Sequence, residues 1–306
     1  MKKNCLVVSV KTTYSFKHFY LNNKYMKILI TGSKGIVGSN IVPYFESKGH
    51  EVVPILSDIR DYAALREEIS QHKDADWLVH LAAIVSTISC DLAGRHSFDV
   101  NVKGTHNVAE LCKEFKVKFC YFSTTAIYKP GVEPILEDSP KEPHTLYGYT
   151  KYLGEITSQH VFKDSLDRLL ILRPCFAFGG NNDRSIGYLI VKSGMYNEPI
   201  NVQLDPEKLK DYMHIDNLSE AVEMLLTKNI TGHYNISYGK PIKFGDLVAK
   251  VEAMGLKPFV YYRPELDYMG NHSVSNEKLK SVIDWSPSIT LDDGLKKVYD
   301  KLKNIN

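Results

Sequence analysis

The side chains best suited to chemistry lie in one pentapeptide, Tyr147-Gly-Tyr-Thr-Lys151. Positions four apart on a helix share a face about one turn apart, so the Tyr147 phenol and the Lys151 ammonium would stand together. A free tyrosine titrates near pH ~10 and is a poor base at neutral pH. A neighbouring cation favours the phenolate and is expected to bring that value down. Tyr147 could then exchange a proton with an alcohol or carbonyl oxygen. Tyr149 is the weaker candidate, because no lysine follows it four residues on.

Such a pair needs a helix over about Tyr147 to His160 and a scaffold that holds it. From Met26 onward, short apolar runs alternate with helical patterns. Strands are expected at Lys27–Thr31, Glu51–Leu56, Asp76–Leu81, Val117–Ser123 and Arg168–Leu172. Helices are expected at Ile36–Lys48, Asp61–Gln71 and Phe98–Phe115. Repeated β-α-β units mean a parallel sheet covered on both faces and joined by right-handed crossovers. After Arg173 the alternation weakens. Gly179-Gly180-Asn181-Asn182 interrupts it, and helices are expected over Ile186–Asn197 and Phe244–Gly255. The expected fold is α/β: a Rossmann-type doubly wound parallel sheet over 26–172, with a returning segment near 205–232. A smaller C-terminal substrate domain over 173–204 and 233–306 would cover the carboxyl ends of the strands.

Thr31-Gly32-Ser33-Lys34-Gly35-Ile36-Val37-Gly38 falls between the first strand and the first helix. Glycines at spacing three allow a tight turn and a close backbone approach to a pyrophosphate, and the helix amino end presents free N–H groups to it. The implied ligand is a dinucleotide held by its pyrophosphate.

Bulk properties exclude other classes. The chain has 306 residues, is 43% hydrophobic and 24% charged, and carries a formal net charge of +2. No basic block suggests nucleic acid or a membrane surface, and no apolar run approaches a transmembrane length. Cys5, Cys90, Cys112, Cys120 and Cys175 are scattered without a CxxC pair, which fits reduced thiols and a cytoplasmic location. No metal-ligand spacing is found among the 11 histidines. Residues 1–25 hold five lysines and no acid, and read as a disordered or non-native extension.

With its GxxGxxG spacing, the chain from Met26 to about Tyr299 resembles the extended short-chain dehydrogenase/reductases, the NAD-dependent epimerase/dehydratase family. The resemblance implies that Gly32, Ser33, Lys34, Gly35, Ile36, Val37 and Gly38 cradle the dinucleotide. Asp58 and Ile59 would meet its adenine, although Asp58 also reads as a cap for the helix near Asp61. Leu81, Ala82 and Ala83 would form a wall beside it, with Asn101 and Pro174 lining the site and Lys151 also holding the ribose. Thr124, in Ser123-Thr124-Thr125-Ala126, would donate a hydrogen bond to the substrate oxygen. Dehydratases of the family carry Asp-Glu where Thr125 and Ala126 stand, so dehydration is disfavoured. The same holds for cysteine-assisted epimerisation at Ala126.

Substrate contacts are expected from Ser86, Thr124, Thr125, Phe176, Lys210 and Arg263. Phe176 replaces an asparagine of the family, and Lys210 replaces an arginine. Leu56 stands where NAD-using relatives often carry an acid, and Lys34 could meet a 2′-phosphate. The cofactor is therefore expected to be NAD or NADP, with a lean to NADP. The implied activity is that of a nucleotide-sugar epimerase or 4-ketoreductase, expected to act as a homodimer. The alternatives are an extended-type reductase of a non-nucleotide carbonyl substrate, which Phe176 favours, and a non-catalytic dinucleotide-binding protein.

Overall fold

A computed structural model describes residues 25–85 and 87–304. The expected extension over 1–25, apart from Tyr25, lies outside the described residues, as does Ser86. The chain runs from β1 (Lys27–Thr31) through α1 (Gly38–Ser47), β2 (Glu51–Ile55), α2 (Tyr62–Ser70) and β3 (Trp77–His80) to α3 (Thr87–Ala93) and α4 (Arg95–Phe98). Next come α5 (Thr105–Glu114), β4 (Lys118–Phe122), α6 (Leu146–Val161), β5 (Leu169–Pro174), β6 (Phe176–Phe178), α7 (Ile186–Tyr196) and β7 (Ile200–Val202). It closes with β8 (Leu209–Lys210), β9 (Tyr212–His214), α8 (Ile215–Thr227), β10 (Gly232–Ile236), β11 (Ile242–Lys243), α9 (Phe244–Ala253), β12 (Val260–Tyr262), α10 (Glu277–Val282) and α11 (Leu291–Lys303).

Six strands form one parallel sheet in the order β10-β5-β4-β3-β1-β2. The period-two rule explains its apolar strands, which are buried on both faces. Ile28 and Ile30 enter one core with Trp77, Leu172 and the apolar face of α8. Leu29 enters the other, with Leu78, Phe119 and residues of α2 and α5. A third apolar cluster joins Phe178, Ile190, Phe244, Leu247 and Leu295, beyond the sheet. Two-stranded ladders pair β6 with β9, β7 with β12 and β8 with β11 in that part of the chain.

Two elements differ from the sequence expectation. The helix expected from Phe98 to Phe115 is interrupted by a π-helical stretch, Asp99–Gly104. Such bulges insert an extra residue into the turn, and this one contains Asn101, which is fully buried. The sheet also extends past the returning segment expected near 205–232. Strand β10 pairs Gly232 to Ile236 with Leu170 to Pro174 of β5. Its sequence, Gly-His-Tyr-Asn-Ile, lacks the continuous apolar run of a central strand, because β10 lies at an edge of the sheet.

Connections from β1 lead to β2 on one side and, later, to β3 on the other. The crevice at the carboxyl ends of β1 and β3 is therefore the topological switch point where such sheets bind ligands.

Candidate active site

The turn after β1 is shaped by what it lacks. Gly32 has φ +70°, and a Cβ there would lie 2.6 Å from the backbone nitrogen of Ala82. A Cβ on Gly38 would lie 2.3 Å from the Gly32 carbonyl oxygen. The turn thus packs backbone on backbone at the head of α1. Gly32, Gly35, Ile36, Val37 and Gly38 line a cavity of about 250 Å³ with Leu81, Ala83, Ser123, Thr124, Tyr147, Lys151 and Pro174. The Ser123 hydroxyl on this wall is buried without a protein partner, as a ligand-facing donor would be. A cleft ending on a turn whose glycines leave its backbone open to close approach fits a dinucleotide.

Under the cleft runs a buried polar chain. Thr105 Oγ1 donates to the Asn101 carbonyl, 2.8 Å, so its oxygen is left to accept from His80 Nε2, 3.0 Å. His80 Nδ1 then accepts from Thr31 Oγ1 at 2.7 Å. Burial holds His80 down at about 3, so the ring stays neutral in this role. Asn101 clasps the loop after β3 through Ile84 N and O, 2.8 and 2.9 Å, and donates to Thr150 Oγ1 on α6 at 3.0 Å. Asn101 therefore braces the wall and α6 against each other; it does not line the cleft.

Helix α6 starts at Thr145, whose hydroxyl accepts from Gly148 N, 3.1 Å. This cap sets the helix so that Tyr147 and Lys151 face the cleft, while Tyr149 is 52% exposed. Lys151 is buried, with Nζ 4.4 Å from the centre of the Tyr121 ring. Burial brings its ammonium down to about 7, with the Glu155 carboxylate pulling the other way. Tyr147 departs from the sequence expectation. Burial raises its phenol to about 12, although the Thr124 hydroxyl acts to lower it. Removal from water penalises the phenolate more than its surroundings stabilise it.

A second cavity, of about 290 Å³, shares Thr124, Tyr147, Pro174 and Cys175 with the first. Its other walls are Thr87, Thr125, Ala126, Phe176, Tyr268 and Met269, none of them charged. Thr125 and Phe176 reach this cavity, but the Thr125 hydroxyl is already engaged. It donates to the Pro174 carbonyl, 3.3 Å, and accepts from His272 Nε2, 2.9 Å. Across the mouth, Tyr268 Oη lies 3.3 Å from Thr87 Oγ1.

The two expected basic contacts are elsewhere. Lys210 is fully buried, with Nζ on Asp267 Oδ1 at 2.8 Å and on the Gly270 carbonyl. Its charge pins the segment that carries Tyr268. Arg263 pairs with Glu265 at 2.9 Å and lines a separate depression with Ile88, Leu189 and Leu204. The Asp58 carboxylate binds Arg60 through its backbone N–H and guanidinium, which holds it down at about 2. Asp61, not Asp58, caps α2. Sequence reading did not find Leu218 of α8 or Tyr268, both from distant segments with no local signal.

A doubly wound parallel sheet with such a turn at its switch point is a dinucleotide-binding scaffold. The chain belongs to the NAD dependent epimerase/dehydratase family, whose sequence profile matches residues 28–237. It is 26% identical over 308 aligned positions to a putative UDP-glucose 4-epimerase of Methanocaldococcus jannaschii, covering 91% of this chain and 99% of that protein. Its fold matches that of Thermus thermophilus UDP-glucose 4-epimerase complexed with NAD, with TM-score 0.82, 22% identity, and coverage of 92% of this chain and 100% of the other. It also matches RMD of Pseudomonas aeruginosa complexed with NADPH, with TM-score 0.79, 19% identity, and coverage of 91% and 99%. Among the described residues, no helix is long and apolar enough to cross a membrane, and no cluster could hold a metal ion.

Proposed function

We propose that this chain catalyses NAD(P)-dependent hydride exchange at one carbon of a nucleotide sugar, as a 4-epimerase or a 4-ketoreductase, with Tyr147 as the acid/base. The observation that carries this reading is the shared wall. Tyr147 and Thr124 line both the dinucleotide cleft and the adjoining cavity, so the phenol stands where cofactor and substrate would meet. When bound, the nicotinamide ring supplies the hydride donor or acceptor and, when oxidised, a positive charge. The protein's own groups handle the proton. In the reducing direction Tyr147 Oη gives its proton to the carbonyl oxygen, while Thr124 Oγ1 donates a hydrogen bond to the same oxygen. In the oxidising direction Tyr147 Oη receives the hydroxyl proton. With its phenol raised to about 12, Tyr147 rests protonated, the state needed for donation to a ketone.

Replacement Tyr147→Phe tests this role. A positioned proton donor contributes roughly 10²- to 10⁴-fold, so kcat/KM should fall by about that much while the dinucleotide still binds. Turnover within tenfold of the parent would remove Tyr147 from the mechanism. Thermal-shift measurements with UDP-, dTDP-, GDP- and CDP-sugars test the substrate class, and no shift with any of them would eliminate the nucleotide-sugar reading.

A second reading, a reductase of a non-nucleotide carbonyl compound, is favoured by one observation. The cavity beside Tyr147 carries no charged side chain, and Lys210, the cation expected at a diphosphate, is committed to Asp267. A purely binding role leaves the set of Tyr147, Lys151 and Thr124 along the cleft unexplained, because a binder needs no proton donor.

A further inference from the structure

The second cavity has few polar groups left for a sugar once the reacting oxygen is served. Tyr147 and Thr124 meet that oxygen in the reading above. The Thr125 hydroxyl is engaged on both sides, by the Pro174 carbonyl and by His272 Nε2. Burial holds His272 down at about 3, so it brings no charge to the wall behind Thr125. The Cys175 thiol donates to Asp211 Oδ1 at 3.5 Å. The hydroxyls that remain are those of Thr87 and Tyr268, which face each other across the mouth.

The rest of the wall is apolar and firmly held. The Phe176 ring packs on His272 and on Tyr212, with centroids 5.8 Å apart in each case. Met269 is buried. The Lys210 ammonium binds both Asp267 and the Gly270 carbonyl, so the chain is anchored on either side of residues 268–269.

We propose that the sugar taken into this cavity is a 6-deoxyhexose, neutral and carrying a methyl group at C5, and that Phe176 and Met269 form the seat of that methyl. The proposal rests on the nucleotide-sugar reading above and names which sugars the site takes.

A hexose ring that reacts at C4 has two unlike edges. C2 and C3 carry hydroxyls, and C5 carries the C6 group. With the C4 oxygen on Tyr147 and Thr124, the hydroxyl-bearing edge needs donors and acceptors, and Thr87 and Tyr268 supply them. The C5 edge falls to Phe176 and Met269. A methyl group there buries apolar surface against apolar surface. A C6 hydroxyl would give up water and find no partner in its place. A C6 carboxylate would be buried without a cation, because Lys210 is committed to Asp267 and Arg263 lines a separate depression.

The test is calorimetric titration of the full chain with nucleotide sugars matched except at C6. The sets are UDP-glucose, UDP-6-deoxyglucose and UDP-glucuronate, then dTDP-glucose with dTDP-6-deoxyglucose, CDP-glucose with CDP-6-deoxyglucose, and GDP-mannose with GDP-6-deoxymannose. A hydrophobic pocket rejects a ligand that merely adds a hydroxyl by no more than about 10²-fold. The 6-deoxy member of the tightest-binding set should therefore bind about 10- to 100-fold more tightly than the hexose, with glucuronate the weakest of the UDP-sugars. Met269→Gln keeps the side-chain length and adds a donor and an acceptor, and should narrow the ratio about tenfold. Phe176→Asn should act in the same direction and serves as the second variant if Met269→Gln does not fold. A hexose bound as tightly as its 6-deoxy counterpart would overturn the proposal and leave the nucleotide-sugar reading standing. So would glucuronate bound more tightly than glucose, or an unaltered ratio in the folded variants. Binding of none of these nucleotide sugars would overturn that reading, and this proposal with it.

Discussion

Replacing Lys151 with methionine should make the protein more stable and less active, by an amount that depends on pH. Lys151 is buried, and its ammonium titrates at about 7 in the fold against an ordinary 10.5. Below pH 7 the lysine is charged in both folded and unfolded chains, and burying that charge costs stability in full. Between the two values the unfolded chain binds the proton and the folded chain does not, so stability rises with pH. Above 10.5 both forms are neutral and the cost is gone. At about 1.36 kcal/mol per unit, the cost is about 4 kcal/mol at pH 7 and about 2 at pH 9, and it has nearly gone at pH 10.5. Methionine fills a similar volume without the charge, but it gives up the contact with the Tyr121 ring, a loss of about 0.5–2 kcal/mol. Glu155 is not orphaned, because Arg173 holds it at 2.9 and 2.7 Å. Lys151→Met should therefore gain about 2–3 kcal/mol at pH 7, with the gap closing as the pH rises. Urea unfolding of both proteins at pH 7, 8 and 9 measures this, provided the denaturant slope is unchanged. A variant less stable than the parent at pH 7, or a gap that does not vary with pH, would refute the reasoning. Turnover should be lost at every pH, which would make the buried charge a stability cost borne for function.

Two further outcomes follow from packing. Gly38→Ala places a Cβ 2.3 Å from the Gly32 carbonyl oxygen, so the turn must open; dinucleotide affinity should fall more than tenfold by calorimetry, and unchanged affinity would show that the turn does not hold the ligand. Lys210→Met leaves the buried Asp267 carboxylate without its cation and should cost about 3–5 kcal/mol. Adding Asp267→Leu should restore most of that loss, and a double variant as unstable as the single would show that the pair is not what holds the segment.

Much of the site was legible in the residue pattern because it depends on local geometry. Helix pitch alone puts Tyr147 and Lys151 on one face. Strand periodicity and glycine spacing locate β1, the turn and α1, and apolar runs locate β2 to β5. The positions that were not legible depend on partners far along the chain. Lys210 reads as a ligand for a diphosphate until Asp267, 57 residues later, is folded against it. Strand β10 has no apolar run to announce it and takes its place by pairing with β5.

Residue types and their spacing determined which groups could act and on which elements they stand. Only the tertiary structure decided their charge states and commitments. Burial raises Tyr147 and lowers Lys151, against the expectation from the pair alone. The end of β2, which lacks an acid in sequence, carries a carboxylate in space because α2 folds Glu68 back onto it. The reason is physical: periodicity follows from the backbone, whereas desolvation and hydrogen-bond partners arise only when distant segments exclude water together.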